Sequence, residues 1–202
     1  VLAALAGSAE GTSVAVAAGD EVVTRSAEGQ ARHSVNLLPL LQAALAAAGA
    51  APRDLGAVAF ARGPGPFTAG RISTATAQGL GLALGVPLLP VSSLAALAHG
   101  TEHPRVAAAI EAGQGEVYWG LFRSGVDDGQ QAEAPEAVVA PGEVAVPAEG
   151  QWLGAGSGWD RHGEILAARL GARLQDRRPA AGVSAASVAA LARREWQAGQ
   201  GV

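Results

Sequence analysis

The segment Arg62-Gly-Pro-Gly-Pro-Phe-Thr68-Ala-Gly70-Arg71 concentrates the residue types best suited to holding an anion. Glycines at 63, 65 and 70 permit close backbone approach. A helix starting after them would point free amides and its positive dipole end outward. Gly63, Gly65, Thr68 and Arg71 are therefore candidate anion-proximal residues. No lysine follows the last glycine, so the segment is not a phosphate-binding P-loop. A tight turn that only sets the direction of the following helix explains the same composition. Metal and nucleophile chemistry finds less support. Cysteine is absent, which removes thiolate catalysis and cysteine ligands. His33 is followed four residues on by Leu37, and His162 stands alone; His99 and His103 are four apart, but no metal ligand set is read from them. No catalytic residue and no metal ligand is assigned. Neither a Gly-x-Ser-x-Gly elbow nor a His-Glu-x-x-His helix occurs, which argues against a peptidase.

The elements that must position these residues follow from hydrophobic pattern and turn chemistry. Val1–Ala4, Thr12–Ala17 and Glu21–Ser26 read as a meander of three strands. Ser34–Ala48 reads as a helix, with leucines at 37, 38, 40, 41 and 45 and Gly49 after its end. A strand at Ala57–Ala61, the loop Arg62–Gly70, a helix at Ile72–Leu84 and a strand at Val86–Val91 follow. Ser92 or Ser93 is placed to cap the next short helix. This order implies a mixed sheet, antiparallel first and then joined by helical crossovers. The polar tract Gly100–Arg105 suggests a boundary between lobes. Beyond it come strands at Val106–Ile110, Glu116–Phe122 and Gln151–Leu153, with a surface loop at Gly125–Pro135. Helices follow at Trp159–Leu170 and Ser184–Gln197, the last with Val188, Leu191 and Trp196 inward.

Composition narrows the classes. Of 202 residues 49% are hydrophobic and 16% charged, enough for a sizeable core and too few charges for long disordered tails. The net charge of −4 argues against gripping nucleic acid alone. The arginines at 169, 173, 177, 178, 193 and 194 read as a solvated face. Val1–Ala6 lacks the basic flank of a signal peptide. The uncharged stretch Ile72–Thr101 is broken by Gly79, Gly81, Gly85, Pro87 and Pro90, so it is not expected to span a membrane. A soluble, cytoplasmic protein is expected.

The chain resembles the TsaB (YeaZ) family. Arg62–Arg71 is similar to that family's Arg-Gly-Pro-Gly-Ser-Phe-Thr-Gly-x-Arg segment. The likeness extends to Glu10-Gly-Thr-Ser13-Val-Ala-Val16, to His33-Ser34 with Leu37-Leu38-Pro39, and to Ala77-Gln78-Gly79-Leu80. Val91-Ser92-Ser93-Leu94, Gly115-Glu116-Val117-Tyr118-Trp119 and Gly154-x-Gly156-x-Gly158-Trp159 complete it. The resemblance implies an α/β, two-lobed actin/Hsp70/sugar-kinase-like (ASKHA) fold, with β-β-β-α-β-α in each lobe. Residues 1–103 would form the first lobe and 104–183 the second, with the helix 184–198 returning to pack on the first.

It also implies a non-catalytic scaffold subunit of the complex that forms N6-threonylcarbamoyladenosine in tRNA. TsaD, the threonylcarbamoyltransferase, would be its heterodimer partner, and the ATPase TsaE would join them. Transfer RNA would bind only through the complex, and the isolated chain would form a homodimer. No cofactor is required, although weak adenine-nucleotide binding at the complex interface would bring Gly154 and Gly156 near the ligand. Catalytic relatives carry an aspartate after the first strand. Here that stretch is Ala4-Leu5-Ala6, with no acid before Glu10, and Glu111-Ala112-Gly113 stands where relatives show Asp-Ala-Arg. These departures argue against the main rival, a small-molecule kinase of the same fold.

The first two helices carry no charge from Ser34 to Pro52 and none after Arg71. Leu37, Leu41 and Ala44 form one stripe, and Leu38, Gln42 and Leu45 another. Ala75, Gly79 and Ala83 give the second helix a small-residue track. Burying one face of each helix would still leave apolar surface. With the resemblance, this assigns Leu37, Leu38, Leu41, Leu45, Ala75, Gly79 and Ala83 to the partner interface.

Overall fold

The computed structural model describes residues 1–8, 11–29, 33–125, 129–197 and 199. Glu10 and the side chain of His33 lie outside the described residues. The chain divides into two compact units: residues 1–96 with 183–202, and residues 97–182. The division falls inside a helix (α3, Ser93–His99) rather than at the polar tract after it.

The first unit holds β1 (Leu2–Gly7), β2 (Gly11–Ala18), β3 (Glu21–Glu28), α1 (His33–Ala47), β4 (Ala57–Ala61), α2 (Phe67–Leu84) and β5 (Leu88–Val91). The helix α5 (Ala185–Gln197) also belongs to it. Its sheet has the order β3-β2-β1-β4-β5, with the first three strands antiparallel and the rest parallel. Side chains alternate across a strand, so β1 serves two cores. Leu5, Val14 and Phe60 stand side by side in register and join Leu37, Leu41, Ala44 and Leu45 of α1. Leu2, Ala4 and Ala6 face the other way, against Ala185, Val188, Ala189 and Ala192 of α5. Leu191 and Trp196 are partly buried on that same side. Helix, sheet and helix thus form a three-layer unit.

The helix α2 begins at Phe67, five residues before the expected Ile72. Pro66 is its N-cap, and the Gly70 amide already bonds the Pro66 carbonyl at 3.0 Å. Its buried line is Ala69, Ser73, Ala77 and Gly81, all small. A Cβ at Gly81 would stand 2.7 Å from a methyl of Leu88, so the helix lies close on its own sheet. The Ser73 hydroxyl is fully buried there without a hydrogen-bond partner among the described residues. An unsatisfied buried hydroxyl costs about 1–3 kcal/mol, and replacing it by an apolar group of similar shape recovers part of that. Ser73→Ala should therefore stabilise the protein by about 1 kcal/mol, seen as a rise of a few degrees in thermal midpoint.

The second unit holds β6 (Arg105–Gly113), β7 (Glu116–Ser124), β8 (Gln130–Ala132), β9 (Ala137–Val139), β10 (Trp152–Ala155), α4 (Ser157–Leu170) and β11 (Leu174–Arg178). The sheet order is β11-β10-β6-β7-β8, with β9 also pairing β7. Where the first unit has α1, this one has a single 3-10 turn at Pro141–Glu143. The β-β-β-α-β-α plan is therefore met in the first unit and abbreviated in the second. Of the expected surface loop Gly125–Pro135, residues 130–132 pair with β7 as β8.

Of the arginines expected as a solvated face, those at 169, 177, 178 and 194 are exposed and those at 173 and 193 half-buried, and several also brace the chain from the surface. Arg169 donates to the Val144 carbonyl, Arg173 to that of Ala148 and Arg178 to that of Thr101. Arg177 pairs with Glu164 at 2.9 Å and Arg193 lies 3.8 Å from Asp20. No helix among the described residues is long and apolar enough to cross a membrane.

Candidate partner-docking face and glycine loops

Helices α1 and α2 cover the same face of the first sheet and touch each other. The apolar stripes of α1 sort by tertiary contact. Leu37, Leu41 and Leu45 are core residues, buried against β1, β2 and β4. Their assignment to a partner interface is corrected: they have no surface to offer. Leu41 in particular is only 3% exposed. Leu38 is 49% exposed and Val35 66%, and with Ala46 and Gln42 they form the outward stripe.

On α2 the outward positions are Phe67, Thr68, Arg71, Ala75, Gln78, Gly79, Leu82 and Ala83. Ala75, Gly79 and Ala83 therefore lie on the surface, and a Cβ at Gly79 would meet open space. The residues that sequence reasoning missed are Val35, Phe67 and Leu82. Phe67 is 70% exposed and Leu82 89%. The signal for Leu82 was its step from Gly79 and Ala75 along one helical face, but its size argues for the core. Small residues take the inner line because α2 approaches its sheet closely, so the bulky ones are left outside.

The glycine loops resolve into different roles. Arg62 extends the strand ladder, its amide bonding the Val91 carbonyl at 2.9 Å, and the Ser93 amide bonds the Gly63 carbonyl at 2.9 Å. These bonds pin the short loop Arg62–Pro66. Gly63 has φ 98°, a value that favours glycine. Thr68 and Arg71 stand on α2 rather than in the loop, and Arg71 stacks on Phe67 with its guanidinium carbon 3.6 Å from the ring centre. Ser92, not Ser93, supplies the cap of α3, accepting from the Ala95 amide at 3.2 Å.

Gly154 and Gly156 do not open onto a ligand. A Cβ at Gly154 would stand 2.5 Å from the Trp159 ring, and one at Gly156 would stand 2.4 Å from the Ala109 carbonyl oxygen. Gly158 is pressed on Ala109 in the same way. Trp159 is buried, donates its indole N–H to the Ala107 carbonyl at 2.8 Å and lies 6.0 Å from Trp119. This motif seats α4 on β6 and β10, which corrects its reading as a nucleotide-proximal loop.

Residues 4–7 at the end of β1 carry no side-chain oxygen. Ala6 is fully buried, and Gly7 abuts Ala69 and Ser73 of α2. The acid on β6, Glu111, is paired with Arg161 at 2.9 Å, and its amide bonds the Ser157 hydroxyl.

A family model described as TsaD, tRNA N6-adenosine threonylcarbamoyltransferase, matches residues 23–156. The tRNA threonylcarbamoyladenosine biosynthesis protein TsaB of Escherichia coli K12 is 37% identical over 134 residues, covering 63% of this chain and 58% of that protein. The aligned segment thus spans less than two thirds of that relative. The TsaB protein of Buchnera aphidicola subsp. Schizaphis graminum is 29% identical over 168 residues, covering 80% of each chain. The structure of YeaZ from Pseudomonas aeruginosa superposes with a TM-score of 0.92 at 37% identity, covering all of this chain and 94% of that one. With the two-sheet architecture and the glycine motifs in the same chain, these likenesses show that the chain belongs to the TsaB (YeaZ) family.

Proposed function

We propose that this protein serves tRNA threonylcarbamoyladenosine biosynthesis in the cytoplasm as a non-catalytic subunit, docking on TsaD through the outer face of α1 and α2 and holding it active. The observation that carries this is the exposure of Val35, Leu38, Phe67 and Leu82 together on two adjoining helices. Soluble proteins rarely leave such patches uncovered. Kinship to a TsaD family model supports a partner of the same architecture. The lack of an acid in the stretch Ala4-Leu5-Ala6 favours a supporting role over phosphoryl transfer. TsaE would join the pair, tRNA would bind through the assembly, and the isolated chain would form a homodimer over the same face. No cofactor is needed; an adenine nucleotide, if bound weakly, would sit at the interface with the partner.

Leu82→Arg tests the reading. The side chain is almost wholly exposed, so the monomer should keep its circular dichroism and thermal midpoint. Against TsaD, a buried unpaired guanidinium should weaken binding by about a hundredfold or more. Titration calorimetry with purified TsaD measures it, and unchanged affinity would place the interface elsewhere. Phosphate release from ATP by the isolated chain, at more than background, would instead favour the kinase reading.

A further inference from the structure

The docking face carries one formal charge. Positions 71, 75, 79 and 82 recur at helical steps, so Arg71 lies on the same outward stripe as Gly79 and Leu82. Among the described residues no carboxylate forms an ion pair with it. Its guanidinium is instead held over Phe67, an aromatic ring that is itself largely exposed. Stacking of this kind fixes the planar fork while leaving its edge N–H groups free to donate.

We propose that the Phe67–Arg71 pair determines which protein covers this face: it fits a partner whose apolar helical surface carries an Asp or Glu carboxylate opposite Arg71. The inference rests on the docking face described above and adds its selectivity. Any partner lying along the stripe removes water from Arg71, and an uncompensated buried charge strongly disfavours association. A carboxylate receiving two parallel N–H bonds restores the loss and adds geometric specificity. A second copy of this chain supplies no such group from the same face. No acid occurs between Glu28 and Asp54, a stretch that includes all of α1, and none occurs in α2. Self-association through these helices leaves Arg71 unanswered, while an acid-bearing partner satisfies it. One residue thus favours the heterodimer over the homodimer, by penalising the wrong complex as well as stabilising the right one.

The experiment compares Arg71→Glu, Arg71→Ala and Leu82→Arg for binding to purified TsaD and for self-association, with circular dichroism as the folding control. Arg71→Ala should weaken TsaD binding about tenfold or more and Arg71→Glu further, and neither should weaken self-association. The salt dependence of the wild-type complex should flatten in Arg71→Ala, because the screened pair is gone. If Leu82→Arg abolishes binding while both Arg71 variants bind like wild type, the docking face stands and its selectivity by charge is overturned. If Leu82→Arg binds like wild type, the docking face itself is wrong. If the Arg71 variants weaken self-association as much as they weaken TsaD binding, the discrimination is overturned.

Discussion

Leu41→Glu should leave the first unit unfolded at room temperature. Leu41 touches the sheet in a cluster with Leu37, Leu45, Val14 and Phe60 and is 3% exposed. Losing a buried leucine already costs about 2–5 kcal/mol. The carboxylate that replaces it must either shed its water or take up a proton, which costs several kcal/mol more. Domains are held together by only about 5–15 kcal/mol, so the sum reaches their whole stability. Far-ultraviolet circular dichroism and a denaturant midpoint measure the effect. Leu38→Glu, on the outward stripe of the same helix, is the control and should unfold at the wild-type midpoint. A folded Leu41→Glu with normal cooperativity would mean that α1 presents its other face to the sheet.

Gly154→Ala should strongly destabilise the second unit. Its Cβ would fall 2.5–2.7 Å from three atoms of the Trp159 ring, which has no free space to retreat into. Overpacking of a filled core costs about 1–3 kcal/mol. Displacing Trp159 would also leave the Ala107 carbonyl and the indole N–H without each other, for about 1–3 kcal/mol more. The entropy lost from the unfolded chain when glycine becomes alanine offsets only about 1 kcal/mol of this. The expected result is a drop of at least about 2 kcal/mol in unfolding free energy, with loss of the near-ultraviolet tryptophan signal. An unchanged tryptophan environment would show that Trp159 is not seated on Gly154. The same measurement separates packing from ligand binding as the role of this glycine motif, because packing predicts damage in the free protein.

Several elements were legible because their residues satisfy local rules. The strand Ala57–Ala61 is a short apolar run between turn residues, and α1 ends before Gly49, whose φ of 64° suits glycine. The three-residue β8 and β9 and the polar β11 were not legible. Gln130–Ala132 and Gln175–Arg178 have no apolar alternation and are strands only because β7 and β10 offer them partners. The early start of α2 was missed because Gly70 looks like a breaker, whereas it lies inside the first turn that follows the N-cap Pro66.

By itself, the sequence determined the order of the longer strands and helices, the family, the lack of an acid at the end of β1 and the lack of charge on two helices. Each follows from residue types and spacing along one chain, where physical chemistry is local. Only the tertiary structure decided which stripe of α1 is core, since Leu37-Leu41-Leu45 and Val35-Leu38 are both apolar and helical periodicity cannot rank two such faces. It also decided that α2 turns small residues inward and Leu82 outward, because the distance between a helix and its sheet is set by both surfaces at once. The same reason converts Gly154 and Gly156 from a suspected ligand loop into a seat for Trp159. What a glycine makes room for is fixed by the neighbour that fills the space, and that neighbour is known only after the chain has folded.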